Sequence, residues 1–343
     1  MTFNFKKSIF NIFFNAYSFS VIYFLAVFYM ELMTPPDTLE TGAYILKMAL
    51  VFFGFGLVAD VLTGMLGVKT LGSQLFATPA EKENEQNSGG AWKMQLYFVL
   101  LLTVIASVIM TKFSVIDLID ESGFSGAMRL FRGIFSPNFE ILPKAILAII
   151  ETIFIAFLAT FIAVPFAFFL SFIGAKNIMT HPAAFTAYMA LRTFLNIVRS
   201  VEPLIWAIIF SVWVGIGPFA GMLALMLHSI ASLTKQYSEI VECIEEGPVE
   251  GIKATGAGVI QTIAFGVVPQ IVLPYISFTI YRWDINVRMA TIIGLVGGGG
   301  IGTMLIQYQG QAAWSEVGCI VVVIATVVWL LDTGSAYIRE AIK

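Results

Sequence analysis

Long apolar stretches, one after another, restrict this chain more than any other feature it has. They fall at 15–33, 43–67, 94–111, 145–174, 201–216, 219–233, 265–281 and 317–331. A helix needs about 20 apolar residues to cross the hydrocarbon core of a bilayer. In lipid each backbone N–H and C=O must be satisfied without water, so such stretches form helices. The expected fold is all-α: a polytopic membrane protein with about eight transmembrane helices. Composition agrees, with 58% apolar and 12% charged residues, where a soluble domain carries about 25% charged. The first stretch is long and aromatic and lacks a small-residue cleavage site, so it reads as a retained span and not a cleavable signal.

The fifth and sixth stretches are short and separated only by 215–218, where Pro218 and two glycines supply turn chemistry. Residues 183–199 read as an amphipathic lead-in to the fifth, with a kink near Pro203. With the N-terminus inside, the inner segments hold Lys6, Lys7, Lys69, Lys82, Lys93, Lys176, Arg192, Arg199, Lys235, Lys253, Arg339 and Lys343. The outer ones hold Lys112, Arg129, Arg132, Lys144, Arg282 and Arg288. That excess of inner cations favours cytoplasmic termini at both ends. Residues 80–90 are polar and glycine-ended, as in a flexible linker. The longer outer loop, 112–144, carries Phe124, Phe131, Phe135 and Phe139, which suit a membrane surface. Cys243 and Cys319 read as packed thiols, and His181 and His228 match no zinc spacing. No metal or cofactor is expected.

Between the sixth and seventh stretches runs SEIVECIEEGPVEGIKATGAG. Gly247 and Pro248 break one helix, and proline suits the first position of the next. Glu250 then falls in the first turn, where the helix dipole favours a carboxylate. Gly256 stops the short helix, and a new one begins near Val259 and bends at Pro269. The product is a short helix on the membrane surface with a small-residue face. An ordinary ordered loop explains the spacing equally well.

The same residues resemble a loop of permeases in ATP-binding-cassette (ABC) importers, of the form E-A-A-x3-G-x9-I-x-L-P. Glu250, Gly256 and Pro269 stand at its fixed positions, while Gly251, Ile252, Gly266 and Val268 depart from it. The departures resemble the phosphonate-type permeases, as do RSVEPLIWAIIF (199–210), GPFAGMLALMLHSIASL (217–233), the run 269–302 and DTGSAYIRE (332–340). The resemblance implies a methionine-permease-like, type I core of five membrane helices over 145–343, forming a homodimer in the inner membrane. Residues 1–92 and 93–144 would be additions to that core. It further implies two copies of an ATPase docked on Pro248, Val249, Glu250, Gly251, Ile252, Gly256 and Pro269. A periplasmic or lipid-anchored binding protein would deliver the cargo, a phosphonate or related phosphorus oxyanion, with an amino acid as the runner-up. Membrane lipid is the other expected partner, and nucleic acid is not one. The permease itself would be no enzyme, since ATP is hydrolysed in its partner.

A second run, GLVGGGGIG (294–302), lacks the strand-turn-helix frame and the Lys-Ser/Thr of a phosphate loop. Its glycines, Gly297, Gly298, Gly299, Gly300 and Gly302, serve either close helix packing or an outer gate lining a cavity. Ionisable residues inside spans face protein or water. Arg199 and Glu202 are placed to pair; Lys47 and Glu151 read as anchors. Arg282 and Arg288 are placed at the outer entrance, beside Asp284, and His228 along the pathway. A secondary transporter would require mid-span acids or an inverted repeat, and a membrane enzyme a catalytic cluster. Neither pattern is evident.

Overall fold

Small residues determine where these helices touch. The structure is a computed structural model, and it describes residues 12–16, 18, 38–66, 70–71, 91–114, 116, 119–179 and 181–342. Most of the first apolar stretch, the linker 80–90, and Lys6, Lys7, Lys69, Lys82, Asp117 and Lys343 lie outside the described residues. The chain divides into two compact units, Met1–Asp120 and Glu121–Lys343.

In the first unit, α1 (Thr38–Met65) and α2 (Ala91–Met110) are apolar on nearly every side. Polar side chains tie the unit together. Asn15 donates to Asp60 Oδ1 at 2.5 Å and to Thr70 Oγ1 at 3.1 Å. Gln95 donates to Ser18 Oγ at 2.8 Å and accepts from the Leu71 N–H at 2.9 Å. Leu46, Leu50, Val51, Phe55 and Val58 remain exposed on α1, as a lipid-facing surface would.

The second unit holds α3 (Glu121–Phe135), a single 3-10 turn (Phe139–Ile141), α4 (Leu142–Ile173), α5 (Pro182–Ser200), α6 (Pro203–Val214) and α7 (Pro218–Glu242). Then come α8 (Glu246–Ala254), α9 (Val259–Thr262), a π turn (Ile263–Val267), α10 (Val268–Gly294), α11 (Gly300–Gly310) and α12 (Trp314–Ile342). Helix α4 buries a stripe of small side chains: Ala145, Thr152, Ala156, Ala159, Thr160, Ala163, Ala167 and Ser171. Its opposite face exposes Phe154, Phe157, Phe161 and Phe169. Lipid is as apolar as leucine, so close backbone approach and dispersion, not hydrophobicity, hold such helices together. Helix α7 packs with this stripe through Met222, Ala224 and Leu225, which cluster with Ala156 and Ala159.

Among the described residues, three helices are long and apolar enough to cross a membrane: 139–173, 259–294 and 314–342. Helices α5 and α6 form a fourth such element, bent by 90°. Helix α7, with 25 residues, would reach about 37 Å at 1.5 Å per residue. It carries His228, Ser229, Ser232 and Thr234 because its neighbours, not lipid, surround its centre. Tyr237 of α7 and Tyr275 of α10 stack with centroids 3.7 Å apart. The Tyr275 hydroxyl also lies 2.8 Å from Ser171 Oγ on α4, which joins three helices at one level.

The loop expected over 112–144 contains the amphipathic helix α3. It seats on α12 through glycines: a side chain at Gly318 would collide with the Ile134 carbonyl.

Candidate functional site

The connector begins earlier than the sequence suggests. Helix α7 ends at Glu242 with Cys243 as its cap, and α8 starts at Glu246, so Gly247 and Pro248 lie inside its first turn. Proline is tolerated there because first-turn N–H groups have no intrahelical partner. Glu246 takes the dipole-facing position expected of Glu250, which stands one turn on. The helix stops as expected. Gly256, with φ of +83°, turns the chain, and its N–H bonds the Lys253 carbonyl at 3.0 Å.

Helix α8 presents Gly247, Pro248, Glu250, Gly251, Lys253, Ala254 and Gly256 outward, while Val249 and Ile252 are half-buried. Open space surrounds Gly247, Gly251 and Gly256. Its inner side is anchored. Gly266 of the π turn admits Val249, whose Cα would lie 3.2 Å from an added Cβ. Gln270, on the first turn of α10, brackets the start of α8. Its Oε1 accepts from the Glu245 N–H at 3.0 Å, and its Nε2 donates to the Glu245 carbonyl at 3.3 Å and the Gly266 carbonyl at 2.7 Å. The sequence reading missed Gln270, because its partner lies 25 residues away.

The charged residues expected beyond the end of the seventh stretch lie within a helix. The seventh stretch does not end at Tyr281, since α10 continues to Gly294 and carries Arg282, Asp284 and Arg288 within it. Hydropathy ended the span at the first charge, yet the bundle satisfies those charges from other helices. Arg288 pairs with Asp284 at 2.5 Å and with Asp332 of α12 at 3.2 Å. Arg282, 8% exposed, donates through Nε to Ser229 Oγ of α7 at 3.3 Å. Asn286, one turn on, donates to Ser229 Oγ and to Thr160 Oγ1 of α4, both at 2.8 Å. Thr160 is central in α4 and Ser229 central in α7, so this polar cluster lies near mid-bundle. His228 stands beside Ser229, and its Nδ1 is enclosed without a partner. Arg199 and Glu202 are both exposed and form no ion pair among the described residues.

The glycine run is a filled turn. It closes α10 against α11 beside the start of α7. A side chain at Gly302 would strike the Thr291 carbonyl, and one at Gly294 would come within 2.7 Å of the Gly302 Cα. Gly298 presses on Ile293 and Gly297 on Ile216. Gly299 and Gly300 take φ of +80° and +69°, positive values that cost other residues roughly 1–3 kcal/mol. Beside them the Ile301 N–H donates to Thr152 Oγ1 of α4 at 2.8 Å.

This arrangement has relatives. A family model described as the binding-protein-dependent transport system inner membrane component matches residues 183–342. Over 273 residues the chain is 33% identical to the phosphite transport system permease protein PtxC of Stutzerimonas stutzeri, covering 78% of this chain and 97% of that protein. The chain belongs to this permease family. The permease is also 34% identical over 212 residues to the phosphate-import permease protein PhnE of Mycolicibacterium smegmatis, covering 62% of this chain and 39% of that protein. Its fold is that of a solved methionine ABC transporter, MetNI in an inward-facing conformation. There the TM-score is 0.53 at 19% identity, over 60% of this chain and 99% of the other. The permease is therefore an all-α, multi-pass inner-membrane subunit of an ABC importer.

Proposed function

We propose that this permease carries a small phosphorus oxyanion, a phosphonate or phosphite, inward across the membrane. The observation that carries the reading is the similarity to PtxC, named for phosphite transport, along 97% of that protein's length. PhnE, named for phosphate import, supports the same cargo class. A binding protein delivers the oxyanion from outside, and two copies of a separate ATPase drive a homodimer of the permease. ATP is hydrolysed in the ATPase, and the permease contributes no catalytic group. Both chain termini lie on the ATPase side.

The ATPase docks on α8. Its glycine face, with open space at Gly247 and Gly251, admits a close backbone approach. Gln270 and Gly266 pass displacement of α8 into α10. Movement of α10 against α4 and α7 then opens the pathway around His228 and Arg282. The glycine turn, Gly297 to Gly302, closes the outer end of that path as fixed packing. A transport cycle is directional only if the cargo binds its two states unequally.

The test is uptake by proteoliposomes holding the permease, its ATPase and its binding protein. Radiolabelled phosphite or methylphosphonate should enter with ATP and stop with a non-hydrolysing ATPase. ATP-dependent uptake of methionine with no uptake of either oxyanion would overturn the cargo.

A further inference from the structure

Arg282 is in an unusual position for a buried cation. Its residue exposure is 8%, yet no carboxylate among the described residues lies within ion-pair distance. Only Nε is committed, to Ser229 Oγ. The two terminal nitrogens make no hydrogen bond to a described residue, and they are not among the fully enclosed unpartnered atoms. They therefore hold the accessible edge of the group. The other end is fixed by a relay of neutral groups, Ser229 to Asn286 to Thr160, which spans α7, α10 and α4.

One more basic side chain is close. His228 directly precedes Ser229, the hydroxyl that accepts from Arg282. Its Nδ1 is enclosed and without a partner. Arg199 and Val201 sit at the 90° bend between α5 and α6. Basic groups of α7 and α10 lie together, and the last turn of α5 packs on α7 through Val198 and Ala231. Removing an unpaired ion from water costs several kcal/mol, and intramembrane ions mark the route of a solute or proton. A guanidinium held at Nε offers its terminal N–H groups as a fork, the geometry that grips a tetrahedral oxyanion at two oxygens.

We propose that Arg282, with His228 beside it, forms a transient oxyanion site inside the membrane bundle, where the cargo pauses after leaving the binding protein. This rests on the importer reading above. The ligand class is a small tetrahedral oxyanion bearing one or two negative charges. Arg288 contributes nothing to it, since two carboxylates already neutralise that side chain.

The test uses the assembled complex in proteoliposomes, driven by ATP, with binding protein loaded with radiolabelled phosphite. Because the site acts after delivery, Arg282→Gln should lower the maximal uptake rate at least tenfold. The half-saturating concentration of loaded binding protein should stay unchanged. Arg282→Lys keeps the charge without the fork and should fall between the two. A purely structural arginine would instead lower the yield and thermal midpoint of the complex, with uptake per assembled complex intact. Parental uptake by Arg282→Gln overturns the site while leaving the importer reading standing. Failure of the parental complex to take up phosphite, methylphosphonate or phosphate removes the importer reading first. Should Arg282→Gln fail to assemble, the parental complex trapped with vanadate and methylphosphonate decides by cryo-electron microscopy. Phosphorus density against the Arg282 terminal nitrogens supports the site, and an Arg282 bonded to a carboxylate of the second copy overturns it.

Discussion

Two glycine-rich segments of this permease look alike in sequence and differ completely in space. Around Gly294 to Gly302, side chains are excluded because backbone from α7, α10 and α11 already fills the volume. Around Gly247, Gly251 and Gly256, nothing lies within 4 Å of an added Cβ. A glycine next to packed backbone is a structural requirement of this chain alone. Gly247 and Gly251 face open space on a helix they weaken by roughly 0.5–1 kcal/mol relative to alanine, and no contact within the chain calls for them, whereas Gly256 at φ of +83° ends that helix. The first segment therefore belongs to the scaffold, and the second matches the interface proposed above. Of the two readings the run Gly294 to Gly302 allows in sequence, close packing and a gate, its contacts are those of close packing.

The contrast can be broken by adding bulk to each side. Gly302→Val should have the largest effect. It drives two methyl groups toward the Thr291 carbonyl and the Gly294 backbone, and overpacking of this kind costs about 1–3 kcal/mol even where neighbours yield. Here they are main chain. The purified permease should lose thermal stability or fail to accumulate in the membrane. An unchanged melting midpoint would show that the turn is looser than its contacts imply.

Gly251→Trp should act in the opposite way. The permease should insert and melt normally, because the indole enters open space. It should nevertheless no longer co-purify with its ATPase, and transport should fall below detection. Gly251→Ala is the control, with a gain of up to about 1 kcal/mol in helix stability and docking retained. ATPase capture by the tryptophan variant at the parental level would remove α8 as the docking surface.

What was legible in the sequence follows from how far apart the interacting residues lie. The apolar stretches after the first, the short connector helix and its Gly256 stop are local signals, and the structure has a helix at each of them and the stop at Gly256. The extent of α10 was misjudged because the charges of YRWDINVR look like a loop to any hydropathy window. The i,i+4 spacing of Asp284 and Arg288, and of Arg282 and Asn286, was the available sign that one helix continues through them. The partners of those side chains were not legible. Ser229 lies 53 residues from Arg282 and Thr160 lies 126 from Asn286, and no periodicity encodes such a pairing. The 90° bend before Pro203 was legible as a kink but not in size. The small-residue stripe on α4 passed unnoticed because alanine is as apolar as the phenylalanines opposite it.

The finest test of the contrast concerns the join between interface and scaffold. Gln270 connects them, with two hydrogen bonds to the Glu245 backbone and one to Gly266. The bonds to Glu245 are exposed, so each contributes about 0.5–1.5 kcal/mol net. Gln270→Ala should therefore leave the fold and ATPase docking intact, because Val249 remains seated on Gly266. Helix α8 would then move with less of its displacement passed to α10. ATP hydrolysis should continue near the parental rate while oxyanion uptake per ATP falls several-fold, up to roughly tenfold for 1.4 kcal/mol. Gln270→Glu sharpens the result: a carboxylate still accepts from the Glu245 N–H but cannot donate to either carbonyl. It should fall between alanine and the parent. Equal loss of hydrolysis and uptake in the alanine variant would mean that Gln270 supports docking itself, and that the scaffold reaches further into α8 than the open glycines suggest.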